Sequence, residues 1–244
     1  MKIKIGITGQ SGFLGTHLFN HLRAKNDIER IHISHDLFVN EDLLIDFVKK
    51  CDYIVHLAGM SRHKDASLIY ETNMRLVQQL ISAMEAECVT PHILFASTTH
   101  KQKDSPYHAS KRDGQSMLEA WADKNSASTT SLVMPNVFGP YCRPCFNSFI
   151  ATFCDKVSKG EECEIFSDSM VQLIYVTELC EKIFKFISSG KTDREFYPAH
   201  SVEKKVTEIL ALMVMFKTQF IDKNIIPHFN NQFEFNLYTT LISY

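Results

Sequence analysis

The sequence predicts an α/β fold built on a doubly wound parallel sheet, and three observations carry that expectation. Ile3, Ile5 and Ile7 read as an opening strand that runs straight into Thr8-Gly9-Gln10-Ser11-Gly12-Phe13-Leu14-Gly15, a glycine-rich turn between a strand and a helix. Apolar runs of strand length then alternate with amphipathic runs of helical period, the pattern of successive β-α units. The length, 244 residues, suits one large α/β domain or a nucleotide domain with a small appendage.

Each element follows in order. The opening strand leads into Phe13, Leu14, His17, Leu18 and Leu22, which line one side of a first helix. A glycine-rich turn at this place lets backbone approach a pyrophosphate, while the helix N-terminus offers N–H groups and the positive end of its dipole. Gly9, Gly12, Phe13, Leu14 and Gly15 are therefore candidates for holding a dinucleotide. Ile31 to Ile33 reads as the second strand, and the residues after it should meet the adenosine ribose. An acidic residue there would favour NAD; the chain has Ser34-His35 instead, with Asp36 two places late, so NADP(H) is preferred and NAD(H) is the alternative.

Leu43 to Lys50 reads as a covering helix, and Asp52 to Gly59 as a buried parallel strand ending in small residues. Leu57, Ala58 and Gly59 leave the cofactor room, and His56 reads as a satisfied core histidine. Glu71 to Glu87 carries Met74, Val77, Leu80, Ile81 and Met84 at helical spacing, a core stripe or a dimer face, with Asn73 near its start. His92 to Ala96 is the next strand, leading to Ser97-Thr98-Thr99 at a strand carboxyl end, where open α/β sheets bind ligands. Leu132 to Tyr141 is another strand and turn, with Asn136 at its end. Beyond it the expected elements are a helix at Ser148 to Ser158, a strand at Val171 to Val176, and helices at Glu178 to Ser188 and Val206 to Phe216. The expected organisation is a Rossmann-type nucleotide-binding domain over 1–140 and a smaller substrate-binding region over 141–244, interleaved with the core.

Ser105-Pro-Tyr-His-Ala-Ser-Lys111 carries the chemistry. Tyr107 and Lys111 are four residues apart, so on a helix they share a face. A phenol is a poor acid-base group at neutral pH, and a neighbouring ammonium is expected to draw its pKa down. Such a tyrosine can exchange a proton with an alcohol or sugar oxygen while a cofactor handles hydride. Thr98, nine residues earlier, has a hydroxyl for the same oxygen.

Composition excludes other classes. Lys and Arg number 26 against 28 Asp and Glu, which argues against nucleic acid as a partner. The seven cysteines form an odd set with no secretory leader before them, the usage of reduced thiols in a cytoplasm. Cys142-Arg-Pro-Cys145 has redox or zinc spacing but no second pair, so no metal is expected. Ile209 to Phe216, the most apolar stretch, is too short to span a membrane.

Thr8-Gly-x-x-Gly-x-x-Gly15, His56-Leu-Ala-Gly59, Thr98 before Tyr107-x-x-x-Lys111, and Pro135-Asn-Val-Phe-Gly-Pro140 together resemble the extended short-chain dehydrogenase/reductase family of nucleotide-sugar epimerases, dehydratases and reductases. The run Asn136 to Cys154 and the ending Phe235 to Tyr244 resemble more closely the reductase domain of bacterial capsule-assembly enzymes that make the precursor of UDP-N-acetyl-L-fucosamine. The resemblance implies reduction, with NADPH, of the 4-keto group of a UDP-linked 2-acetamido-2,6-dideoxy hexose. It implies that Thr98 and Tyr107 bond the 4-oxygen, that Lys111 holds the nicotinamide ribose, and that Asn73 lies near the cofactor. Asn136, Arg143 and Asn147 would face the sugar and its phosphates. It also implies a homodimer through the helices around Glu71 to Glu87 and Tyr107 to Lys124. A nucleotide-sugar 4-epimerase with tightly held NAD, and a catalytically silent cofactor-binding protein, are the rival readings.

The chain departs from the family pattern in two places. Met170-Val-Gln-Leu-Ile-Tyr-Val-Thr-Glu178 lacks the arginine and the aspartate usual near that strand, and Leu132-Val-Met-Pro135 lacks the arginine usual before Asn136. Arg143 or Lys156 is then the expected source of charge for the diphosphate. No cupin sequence follows Tyr244, so the C3 epimerase is expected as a separate protein or a missing domain.

Overall fold

A computed structural model describes residues 2–33 and 36–244 of the chain. The backbone divides into two compact units: one runs to Met134 and resumes over Cys180–Pro198, the other comprises Pro135–Leu179 and Ala199–Tyr244.

The first unit is organised by a six-stranded sheet in the order β2-β1-β3-β4-β5-β8, with every neighbouring pair parallel. Its strands are β1 (Ile3–Thr8), β2 (Ile28–Ile31), β3 (Tyr53–His56), β4 (His92–Thr98), β5 (Thr129–Met134) and β8 (Glu195–Phe196). The helices that alternate with them are α1 (Phe13–Leu22), α2 (Glu41–Lys49), α3 (Ser67–Ala86) and α4 (Pro106–Asn125). The α/β expectation and its parallel sheet are borne out. Ile5, Ile7, Ile54, Val55, Ile93 and Leu94 are fully buried, as strands covered on both faces require.

Local chemistry moves several boundaries from where the apolar pattern put them. The second strand lies at Ile28–Ile31 rather than Ile31 to Ile33, because Ile3 to Gly6 of β1 pair with Ile28 to Ile31. Helix α2 starts two residues early because Asn40 caps it, its side chain accepting from the Asp42 and Leu43 N–H groups. Helix α3 starts at Ser67, where Asp65 Oδ1 accepts both the Ser67 N–H at 3.0 Å and its hydroxyl at 2.8 Å. Helix α4 opens on Ser105 as N-cap with Pro106 in the first turn, the position where a missing N–H costs nothing.

The second unit holds β6 (Asn136–Phe138), β7 (Met170–Tyr175) and β9 (Val202–Lys205), with β6 and β7 parallel and β7 and β9 antiparallel. Its helices are α5 (Phe149–Lys159), α7 (Val206–Phe216) and α8 (Gln232–Leu241), and α6 (Val176–Ser188) carries the chain from this unit back into the first. Its core gathers Phe138, Phe153, Leu173, Ile209, Phe216 and Leu237. Among the described residues no helix is long and apolar enough to cross a membrane.

Candidate active site and cofactor cradle

The glycine-rich turn is shaped by contacts that leave no room for side chains. Gly9 adopts φ +71°, and a Cβ there would stand 2.7 Å from the Ala58 nitrogen. At Gly15 a Cβ would lie 2.2 Å from the Gly9 carbonyl oxygen, and at Gly12 it would lie 3.2 Å from the same atom. Gly12 caps α1 without any side-chain hydrogen bond, so the first-turn N–H groups at Phe13 and Leu14 have no carbonyl one turn earlier to meet. The tip of β3 is tied to β1: the Leu57 N–H donates to the Thr8 carbonyl at 3.2 Å, and the Ala58 N–H to Thr8 Oγ1 at 3.3 Å.

Beside this turn lies a cavity of about 370 Å³ lined by Gly9, Gln10, Ser11, Ile33, Leu37, Phe38 and Ala58. Gln10 Nε2 is buried without a hydrogen-bond partner, an arrangement that costs free energy until an acceptor arrives. The backbone cradle, the uncapped helix start and this orphan donor fit the phosphates of a dinucleotide. The glycine pattern did not single out Gln10, because it occupies one of the motif's variable places. Ser34 and His35, expected beside the adenosine ribose, lie outside the described residues.

His56 closes the floor. Its Nδ1 is 2.8 Å from Thr8 Oγ1 and its ring stacks on Phe95, with centroids 5.8 Å apart. Thr8 Oγ1 accepts the Ala58 N–H as well, so it links the tip of β3 to the imidazole. Burial first, then the charge of Lys111, pulls the His56 pKa down to about 3.

Tyr107 and Lys111 both lie in the first turns of α4. Lys111 is buried, and its Nζ lies 4.8 Å from the centroid of Phe95 and 5.6 Å from that of Tyr107. Loss of water lowers the ammonium to a pKa of about 8. Tyr107 is half-buried, and its phenol is pushed above its ordinary value by burial. This reverses the direction expected from sequence. The spacing supplies a neighbouring ammonium, but the same burial that brings it close penalises the phenolate more than the ammonium stabilises it.

Asn73 joins the pieces. Its Oδ1 accepts the Met60 N–H at 2.6 Å, and its Nδ2 donates to the Met60 carbonyl and to Ser110 Oγ, each at 2.9 Å. Ser110 Oγ in turn donates to the Tyr107 carbonyl at 2.7 Å. Gly59 lies under this link, since a Cβ there would stand 3.1 Å from Asn73 Oδ1 and 3.8 Å from Lys111 Nζ. Thr98 ends β4, and its Oγ1 accepts the His100 N–H at 3.2 Å, which leaves its own proton to offer.

Asn136, Arg143 and Asn147 belong to the second unit. Asn136 opens β6 and donates from Nδ2 to the Gln172 carbonyl at 3.2 Å, and the exposed Arg143 guanidinium lies 5.1 Å from the Phe146 ring centre. Asn147 is exposed. Lys156 Nζ donates to the Glu162 carbonyl at 3.3 Å.

Residues 5–197 match the model of the NAD dependent epimerase/dehydratase family. The chain belongs to that family. Within it, the chain is 27% identical over 190 residues to UDP-2-acetamido-2,6-beta-L-arabino-hexul-4-ose reductase of Pseudomonas aeruginosa, an alignment covering 78% of this chain and 50% of that protein. Against the capsular polysaccharide assembling protein CapF of Staphylococcus aureus the TM-score is 0.80 with 28% identity, over 99% of this chain and 64% of the other. The chain thus spans half to two thirds of the length of these two family members. RMD of Pseudomonas aeruginosa, whose structure holds NADPH, superposes with a TM-score of 0.85 at 17% identity, over 99% of both chains, a likeness of fold. The expected family, and the expected likeness to a capsule-assembly reductase, are both borne out.

Proposed function

We propose that this chain reduces the 4-keto group of a UDP-linked 2-acetamido-2,6-dideoxy sugar with NADPH, in the cytoplasm, as a step toward a bacterial surface polysaccharide. The observation that carries this reading is a half-buried Tyr107 with the Lys111 ammonium 5.6 Å from its ring centre, at one end of a loop whose other end is Thr98. Supporting it is the 27% identity to a UDP-sugar 4-ulose reductase.

A bound reduced nicotinamide would supply the hydride. The chain's own work is then to hold the carbonyl and deliver one proton to its oxygen. The Thr98 hydroxyl donates to that oxygen and orients it. Tyr107, a phenol and so protonated at neutral pH, gives its proton as the oxygen gains charge. Lys111, with a pKa of about 8, holds a proton close to the phenol at neutral pH and shares its helix face. Gly9, Gly12, Phe13, Leu14, Gly15, Leu57, Ala58 and Gly59 would cradle the cofactor. Asn136, Arg143 and Asn147 would contact the sugar nucleotide, and Ser34 and His35 would select NADPH over NADH.

The test is turnover of a 4-keto sugar generated in place by a UDP-N-acetylglucosamine dehydratase, with a C3 epimerase supplied and nicotinamide absorbance followed. Substrate-dependent NADPH oxidation that Tyr107→Phe abolishes supports the reading; no oxidation despite measured NADPH binding overturns it. In solution the chain would be a homodimer through α3 and α4, checked by a light-scattering mass twice the 28.0 kDa of one chain.

A further inference from the structure

Thr98 and Tyr107 are joined by a loop over residues 99–105 that has turns but no helix or strand of its own. A loop of this kind fixes two chemical groups only if something outside it holds it still. The structure supplies that hold from two sides.

From the sheet side comes Glu195. It stands in β8, opposite Ser131 of β5, and the Ser131 N–H donates to the neighbouring Arg194 carbonyl at 2.8 Å. Its carboxylate receives three donors: Lys101 Nζ and Gln115 Nε2, the latter at 3.2 Å, both on Oε1, and the Tyr197 hydroxyl at 2.5 Å on Oε2. Lys101 belongs to the loop and Gln115 to α4, so one carboxylate ties together strand, loop and helix. From the helix side, Arg112 Nη1 donates to the Lys101 carbonyl at 2.6 Å and to the Lys103 carbonyl at 3.2 Å. Lys101 is therefore gripped by both its backbone and its side chain.

The grip reaches Thr98 through short steps. The Lys101 N–H donates to the Thr98 carbonyl at 3.1 Å, and the adjacent His100 N–H donates to Thr98 Oγ1 at 3.2 Å. The His100 amide thus sets the rotamer of the Thr98 hydroxyl, and the position of Lys101 sets the His100 amide. The Lys101 and Glu195 side chains are only 21% and 30% exposed, so the pair is better shielded than an ordinary surface ion pair.

We propose that Glu195, acting through Lys101, is a positioning residue that fixes the β4–α4 loop and so aims the Thr98 hydroxyl at the substrate oxygen. It touches neither substrate nor cofactor. The proposal rests on the reductase reading for the identity of that substrate, and on the hydrogen bonds alone for the loop.

The test uses Glu195→Gln, Lys101→Met and the exchanged pair Lys101→Glu with Glu195→Lys, each assayed for amide hydrogen exchange over 99–105, NADPH affinity, kcat and KM. Expected for Glu195→Gln and Lys101→Met are faster exchange in 99–105 with α3 unchanged, NADPH affinity held, and kcat lower by about tenfold with little change in KM. The exchanged pair should recover most of kcat, which a general loss of stability would not allow. Unchanged loop exchange in both single variants, or faster exchange with full kcat, overturns the proposal. If the unaltered chain turns over no keto sugar, it is the reductase reading that fails, and the exchange data still decide whether Glu195 holds the loop.

Discussion

The Lys111 ammonium stands 5.6 Å from the centre of the Tyr107 ring, one turn further along the same helix, with the Phe95 ring on another side at 4.8 Å. No carboxylate pairs with it among the described residues. A buried, unpaired ammonium is costly, and chains keep one where its charge has a use.

That cost can be measured. With a folded pKa of about 8 against an ordinary 10.5, the unfolded chain binds more protons between those values, so stability rises with pH across that window and the full cost is felt below pH 8. Lys111→Met should therefore stabilise the cofactor-free protein at pH 7 by on the order of 2–3 kcal/mol while removing activity. Urea titrations at pH 7 and pH 10.5 check it. The gap between variant and parent should close at the higher pH, and a Met variant less stable at pH 7 would refute the account.

His56 makes the opposite pH face of the fold vulnerable. Its folded pKa of about 3 lies below the ordinary 6.5, so its neutral state contributes stability that is present above pH 6.5 and drains away as the unfolded chain takes up a proton below it. Between pH 6.5 and 4 this amounts to about 3 kcal/mol. His92, held down at about 4 by burial, adds to the same trend. A His56→Leu variant should show a shallower fall in stability over that window, even though it loses the bond to Thr8.

The glycines offer a graded series. Ala at Gly15 would need the Gly9 carbonyl to move, since its Cβ falls 2.2 Å away, and Ala at Gly9 meets both a positive φ and the Ala58 backbone. With the backbone holding the dinucleotide as proposed, both should weaken NAD(P)H binding by about tenfold or more. At Gly160, φ is +75° but nothing lies within 4 Å of an added Cβ. There Ala should cost about 1 kcal/mol of stability and leave the cofactor affinity alone. Fluorescence titration of NADPH, paired with thermal melts, separates the two effects.

Much of this was legible in the residues. The strand-turn-helix start follows from Ile3 to Gly15, and the shared face of Tyr107 and Lys111 from their spacing of four. Other features were not legible from pattern alone. Strand β8 has two residues and exists only because β5 offers an edge to Glu195 and Phe196. Strand β9 reads Val-Glu-Lys-Lys, too polar to declare itself, and is held by antiparallel pairing to β7. Helix α8 did carry a signal: Asn231 caps it by accepting from the Glu234 N–H, and Phe233, Leu237, Tyr238 and Leu241 fall on one face. The Tyr107 pKa needed burial, which spacing does not report, and Glu195 needed a contact 94 residues distant in sequence from Lys101.

Asn73 gives the sharpest remaining prediction. Its amide nitrogen donates to the Met60 carbonyl and to Ser110 Oγ, while its oxygen accepts the Met60 N–H, so its two ends are not interchangeable with those of a carboxylate. Asn73→Ala removes three hydrogen bonds in a buried setting and leaves the Met60 groups unpaired, a loss of about 2–4 kcal/mol. Asn73→Asp keeps the shape but turns the donor into an acceptor facing the Met60 carbonyl. It also places a negative charge near Lys111, whose Nζ lies 3.8 Å from the same Gly59 Cβ position that is 3.1 Å from Asn73 Oδ1. The carboxylate should raise the Lys111 pKa from about 8 by Coulomb attraction. An alkaline limb of the rate profile governed by Lys111 should then move to higher pH in Asn73→Asp and stay in place in Asn73→Ala. A profile unchanged in both would separate Asn73 from Lys111 and leave it a link between α3 and α4 alone.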